Sequence, residues 1–294
     1  MANIGLVYAG GLSKGAYQIG FVDALLNYID YKDIKGISGA SIGALNAYAL
    51  AAKKTEVAYD YWMNFHCPNL MILYKRFLIN RLLNKTVDAL IDDNDYLHCP
   101  VYVSGLSVFP TWNFKYYLMK DDYQSDWKKL LSGIIVFPIV AGVPRRFKHR
   151  LYVDGGIVDN IPVQPLFRQT DIDLIIVMHF DPKYKLDQEY LNSDKIILEI
   201  DLSVCNGYIK STFNFSNDLI KTMYQSAYDY GMALFEKLFQ NGLDDKKTIA
   251  SVAEKHMSEE REIRALYANL DAIPTKLNRV FKRQQKKDNV VKRI

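Results

Sequence analysis

At 294 residues, 49% apolar and 24% charged, the chain has the make-up of an ordinary globular protein with room for one large core or a domain plus an appendage. Three scattered cysteines (Cys67, Cys99, Cys205), with no Cys-x-x-Cys or Cys/His spacing, imply neither a disulfide framework nor a zinc site, and so a reducing compartment. The net charge of +4 is local: residues 276–294 hold eight Lys/Arg and one acidic residue, +7, which leaves −3 for the rest, a body without the basic footprint of a nucleic-acid binder.

The first residues, Met1-Ala2-Asn3-Ile4-Gly5-Leu6-Val7-Tyr8, lack the basic and long apolar regions of a secretory signal. The longest apolar run, from Leu130 to Val143, is broken by Ser132, Gly133 and Pro138 and falls short of the roughly 18 residues a span requires. A cytoplasmic protein, soluble or peripheral to membranes, is expected. Residues 4–9 are short, apolar and closed by glycines, the pattern of a buried strand. The loop Gly10-Gly11-Leu12-Ser13-Lys14-Gly15 and a predicted helix over 16–28 follow. A second strand over 34–38 runs into Gly39-Ala40-Ser41-Ile42-Gly43, and residues 42–52 are strongly helical. Strand–helix–strand–helix within the first fifty residues predicts a parallel α/β sheet.

Residues 55–97 read as helical and rich in Leu and aromatics, able to line an acyl groove and equally able to fill a core. Strands are predicted at 101–108 and 114–118, a helix at 125–135 with Trp127 on its apolar side, and a short strand at 151–153 ending in Asp154-Gly155-Gly156. Further strands are predicted at 173–180 and 195–200, then helices over 217–240 and 245–270 before the basic tail. The expected architecture is a three-layer α/β/α domain with a mostly parallel central sheet over 1–210 and a helical C-terminal region over 211–294.

Three stretches carry chemistry. Gly39-x-Ser41-x-Gly43 between a strand and a helix has the pattern of a nucleophile elbow, with the helix N-terminus aimed at the serine. The Gly10–Gly15 loop fits neither the dinucleotide nor the P-loop spacing, yet a glycine-rich nest before a helix can bind any anion, including the oxyanion of acyl transfer. A base is also needed. Of five histidines only His179, in a predicted apolar strand, is a possible triad member, and the elbow comes too early for an α/β-hydrolase. Asp154, at a strand end before two glycines, is the better candidate: partial burial would raise its basicity. A hairpin turn is the plain alternative for Asp-Gly-Gly.

Together these pieces resemble the patatin-like phospholipase family, which carries a Gly-Gly-Gly-x-Lys/Arg-Gly loop, then Gly-x-Ser-x-Gly, then Asp-Gly-Gly or Asp-Gly-Ala. The flanks Gly15-Ala16-Tyr17-Gln18-Ile19-Gly20, Gly43-Ala44-Leu45-Asn46-Ala47 and Ile157-Val158-Asp159-Asn160-Ile161-Pro162-Val163 look similar too, and the likeness covers roughly residues 4–180. It implies a Ser41–Asp154 dyad without histidine or metal, and an oxyanion hole from the N–H groups of Gly10, Gly11 and Leu12. Lys14 would add positive charge for the substrate, unless it is a solvated loop lysine. The implied activity is hydrolysis of fatty acyl esters of glycerolipids through an acyl-enzyme, with no cofactor. Leu12 replaces the family's third glycine. It would be strained at positive φ, which leaves a catalytically weak lipid- or partner-binding protein as the alternative. Leu277, Val280 and Phe281 among the basic residues of the tail suit an amphipathic helix on an anionic membrane surface, or a solvated terminus.

Overall fold

The structure, a computed structural model, describes residues 1–64, 85–92, 94–120, 124–135, 144–206 and 214–265. Much of the predicted helical stretch 55–97, the apolar segment 136–143 and the basic tail lie outside the described residues. Two compact units divide at residues 253 and 254.

The first unit is built on an eight-stranded sheet. Its strands are β1 (Ile4–Tyr8), β2 (Ile34–Gly39), β3 (Val101–Phe109), β4 (Asn113–Met119), β5 (Arg145–Phe147), β6 (Arg150–Asp154), β7 (Leu174–His179) and β8 (Ile196–Asp201). They run in the order β5-β6-β3-β2-β1-β7-β8, with β4 also on β3. The five-strand block from β3 to β8 is parallel throughout, while β4, β5 and β6 join antiparallel. β1 and β7 are buried along their whole length, as continuous apolar runs of a parallel sheet covered on both faces must be. One face packs the cluster Val7, Val163, Leu166, Ile172, Ile175 and Val177 beneath the one-turn helix Gln164–Phe167. Each such side chain contributes roughly 1.5–3 kcal/mol on burial.

The longer helices that flank the sheet are α1 (Gly15–Leu25), α2 (Ile42–Ala51), α3 (Thr55–Asn64), α4 (Gln124–Ile134) and α5 (Asn217–Leu238). Apart from Asp23, α1 is buried all round, because α5 packs along it. The crossing is close: a Cβ on Gly20 would stand 2.1 Å from the Tyr224 carbonyl oxygen. Tyr224 also donates from its hydroxyl to Asp23 at 2.9 Å. Burial raises the Asp23 pKa to about 6, the Tyr224 hydrogen bond opposing it.

The helical stretch expected over 55–97 is helical at Thr55–Asn64 and again at 85–90, and residues 91–100 are not helical where described. β5 is a strand that three residues of Arg-Arg-Phe gave no period to reveal. In the second unit residues 254–265 are helical, and Glu260 accepts from Arg264 at 2.7 Å, an i,i+4 pair. No helix among the described residues is long and apolar enough to cross a membrane.

Candidate active site

β3 is the strand that brings the distant motifs together. Its first residues pair with β2, Gly39 lying opposite Val103, and its later residues pair on the same edge with β6, Asp154 lying opposite Gly105. β2 runs parallel to β3 and β6 antiparallel, so the two strand ends meet head to head. Ser41 leaves one end and Asp154 closes the other.

Ser41 has φ 54° and ψ −128°, a backbone conformation that costs a non-glycine residue on the order of 1–3 kcal/mol and clusters at functional sites. The chain turns here from β2 directly into α2, the tight strand-to-helix turn that the glycine spacing predicts. Gly43 allows it: a Cβ there would stand 2.4 Å from the Tyr8 carbonyl oxygen, so only glycine lets α2 start this close to β1. Ser41 is the N-cap of α2, and its side chain makes no capping hydrogen bond, which leaves the hydroxyl available. The Ile42 N–H, next along the chain, has no acceptor among the described residues and sits at the positive end of the helix.

Asp154 is fully buried. Its Oδ1 accepts the Gly156 N–H at 2.8 Å as the chain enters a 3-10 turn, so Asp-Gly-Gly is a strand end and not a hairpin. Oδ2 is buried without a hydrogen bond of full geometry among the described residues. Desolvation pushes the Asp154 pKa up to about 6, with the Ser41 hydroxyl and the Gly156 N–H holding it down in part. The Ser41 hydroxyl is thus the side chain that addresses this carboxylate.

Of the expected oxyanion donors, Gly10 is already engaged. Its N–H donates to the Asn160 carbonyl at 3.2 Å and its own carbonyl accepts from the Asn160 side chain at 3.0 Å. A Cβ on Gly10 would stand 2.4 Å from Asn160 Oδ1 and 2.9 Å from Ser41 Cβ, which places this backbone against the serine. The N–H groups of Gly11 and Leu12 have no acceptor among the described residues and open a 3-10 turn that continues into α1. Leu12 has φ 50°, so the position that is glycine in the family motif does adopt a left-handed backbone here. Lys14 is buried, not a solvated loop residue. Its Nζ lies 6.0 Å from the Phe180 ring, and burial lowers its pKa against the pull of Asp201 and Asp181.

His179 is committed elsewhere. Its Nδ1 accepts the Asp181 N–H at 3.2 Å, which fixes the remaining proton on Nε2, and Nε2 lies 3.1 Å from Glu199 Oε1. It holds β7 to β8, not Asp154 to Ser41. A polar network that sequence reading missed does bear on the site. Gln18 Nε2 donates to the Ala9 carbonyl at 2.7 Å, Asn46 Nδ2 to Gly15 O at 3.0 Å and Gln18 Oε1 at 2.9 Å, and Trp62 Nε1 to Asn46 Oδ1 at 3.1 Å. Both ends of the 10–14 loop are therefore clamped by buried side chains. Gln18 and Asn46 stand in the quoted flanks of the loop and elbow, and a Gln or Asn in a fully apolar helix is the signal that marks them.

A narrow apolar cleft, its cavity volume about 30 Å³, is lined by Leu12, Ile42, Leu45, Ala58, Tyr61 and Trp62. Among the described residues no three His, Cys, Asp or Glu side chains converge as a metal-binding set.

A patatin-like phospholipase family profile matches residues 6–167, more than half of the chain. The chain belongs to the patatin-like phospholipase family. The mostly parallel central sheet flanked by helices is the architecture that the resemblance implies. A mouse protein, 1-acylglycerol-3-phosphate O-acyltransferase Pnpla3, is 23% identical over 262 residues, covering 81% of this chain and 59% of its own length. Among solved structures, VipD from Legionella pneumophila aligns over 95% of this chain and 80% of its own, with 14% identity and a TM-score of 0.46. ExoU in complex with SpcU from Pseudomonas aeruginosa aligns over 95% of this chain and 63% of its own, with 13% identity and a TM-score of 0.39.

Proposed function

We propose that the protein is a serine acyl hydrolase of glycero(phospho)lipids, using Ser41 as nucleophile and Asp154 as base. The observation that carries this reading is the meeting of a strained, uncapped serine with a buried aspartate of raised pKa, next in the chain to Ile42, which lines a narrow apolar cleft. In the ionised form, Asp154 takes the Ser41 proton as Oγ attacks the ester carbonyl. The oxyanion is received by the N–H groups of Gly11, Leu12 and Ile42, with Lys14 adding charge behind the loop. Gly10 positions the loop through Asn160. The leaving alcohol takes the proton back from Asp154, and the acyl-enzyme remains. Water, deprotonated by Asp154, then releases the fatty acid and restores Ser41. The acyl chain enters along the narrow cleft beside Trp62, which widens to take it, and each buried methylene contributes about 0.8 kcal/mol.

A second resolution of the same acyl-enzyme is suggested by the name of the mouse relative: a glycerolipid hydroxyl takes the place of water, and the acyl group is transferred. The chemistry up to the acyl-enzyme is identical. Turnover of an acyl ester by wild-type protein, Ser41→Ala, Asp154→Asn and His179→Ala tests the dyad, with activity expected to vanish in the first two and to persist in the third. Loss only in His179→Ala would overturn it. Product analysis with lysophospholipid present separates hydrolysis from transfer.

A further inference from the structure

Past the end of β2 the sheet is continued, among the described residues, by its antiparallel part. β3 runs on from Val103 to Phe109, about 20 Å at roughly 3.3 Å per residue, with β4 and β6 beside it. Two hairpin tips therefore project beyond the carboxyl edge of the parallel strands, the edge at which Ser41 sits. One is the β3–β4 connection, residues 109–112, exposed throughout, with Phe109 58% and Trp112 77% accessible. The other is the β5–β6 connection, flanked by Arg145, Arg146 and Arg150 and containing Lys148 and His149, with no acidic residue between 145 and 150. Phe109 pairs with Leu151, which pairs with Arg146, so an exposed aromatic and an exposed arginine stand on one face across three adjacent strands. Lys148 is held by Asp126 at 2.8 Å and lies over the Phe147 ring at 5.2 Å, which stiffens this tip.

The exposed Phe109 and Trp112 leave large apolar surfaces in water beside a basic tip. A Trp three-quarters exposed and a run of basic residues answer different parts of the same ligand. Trp settles at the boundary of headgroup and acyl chain, and basic side chains near an anionic leaflet are each worth a five-fold gain in binding. Small-molecule sites are concave, whereas these tips project. We propose that the paired tips 109–112 and 145–150 dock the protein on an anionic phospholipid bilayer, with the active-site edge of the sheet turned toward the membrane. The choice of a lipid surface rests on the lipid-hydrolase reading, but docking itself does not require turnover.

The protein supplies its own reporter. Its three tryptophans are Trp62 and Trp127, 7% and 3% exposed, and Trp112. The experiment uses the full chain carrying Ser41→Ala, titrated with vesicles of phosphatidylcholine alone or mixed with phosphatidylserine. The indole emission is expected to shift to the blue with the mixed vesicles, and the shift to vanish in Trp112→Ala. Co-sedimentation is expected to weaken about 25-fold in the double variant Arg146→Ala/Lys148→Ala, about five-fold for each charge, and to weaken for wild type as salt rises. Sedimentation without a blue shift, unchanged partitioning of the double variant, or a shift produced by duplex DNA and not by vesicles would each overturn the proposal. Because the Ser41→Ala chain is used, a failure of docking is distinct from a failure of catalysis.

Discussion

Replacing Asp154 by asparagine tests the electrostatic state of the site apart from its chemistry. Burial raises the Asp154 pKa from 3.8 to about 6, so between these values the unfolded chain loses its proton first. In that window the folded state binds more protons than the unfolded one, and stability falls as pH rises. A shift of about 2 units at about 1.4 kcal/mol each makes the ionised carboxylate cost about 3 kcal/mol above pH 6. Asn keeps the Oδ1 acceptor for the Gly156 N–H and carries no charge. Asp154→Asn is therefore expected to approach wild-type stability at pH 4 and to gain by as much as about 3 kcal/mol by pH 8, less whatever its amide loses opposite Ser41. Asp23, also raised to about 6, has the same sign in both proteins and cancels in the difference. Urea denaturation of both proteins from pH 4 to pH 8 measures it. Parallel stability profiles across that range would refute the reasoning. The same ionisation predicts wild-type turnover that rises with pH through about 6 and is absent in the variant at every pH.

Other variants probe single contacts. Gly10→Ala puts a Cβ 2.4 Å from Asn160 Oδ1 and 2.9 Å from Ser41 Cβ. Turnover is expected to fall by about two orders of magnitude or more through a misplaced loop, with little change in circular dichroism. His179→Ala leaves Glu199 buried beside a cavity, so stability is expected to drop by about 3 kcal/mol while kcat of the folded fraction stays near wild type. Trp62→Phe removes the donor to Asn46 Oδ1 and leaves it buried, a loss of about 1–3 kcal/mol. Its KM for long acyl chains, measured against short ones, is expected to rise because the ring also lines the cleft.

Most of the sheet is legible in the sequence, because β1 and β7 are buried along their whole length and spell continuous apolar runs between glycines and polar turns. The elbow was equally readable, since φ 54° at Ser41 needs small neighbours and the chain supplies Gly39, Ala40 and Gly43. That Leu12 would face a left-handed backbone could be anticipated, and it does. Less was legible where function depends on tertiary pairing. Nothing local in Asp154 says that β3 will carry β2 and β6 on one edge and so set it beside Ser41. Gly10 reads as a free donor in the sequence, whereas Asn160, 150 residues away, takes its N–H. Lys14 read equally well as solvated because burial under a loop leaves no period. The clamp of Gln18, Asn46 and Trp62 joins three helices, so no single window displays it.

The most direct measurement is covalent. Incubation of the full chain with a fluorophosphonate, followed by peptide mass spectrometry, is expected to find the phosphonate on the Ser41 hydroxyl. Labelling is expected to be lost in Ser41→Ala and sharply slowed in Asp154→Asn, but retained in His179→Ala. An unmodified Ser41 in a folded protein, or equal labelling of Ser41 without Asp154, would contradict a Ser41 nucleophile served by Asp154.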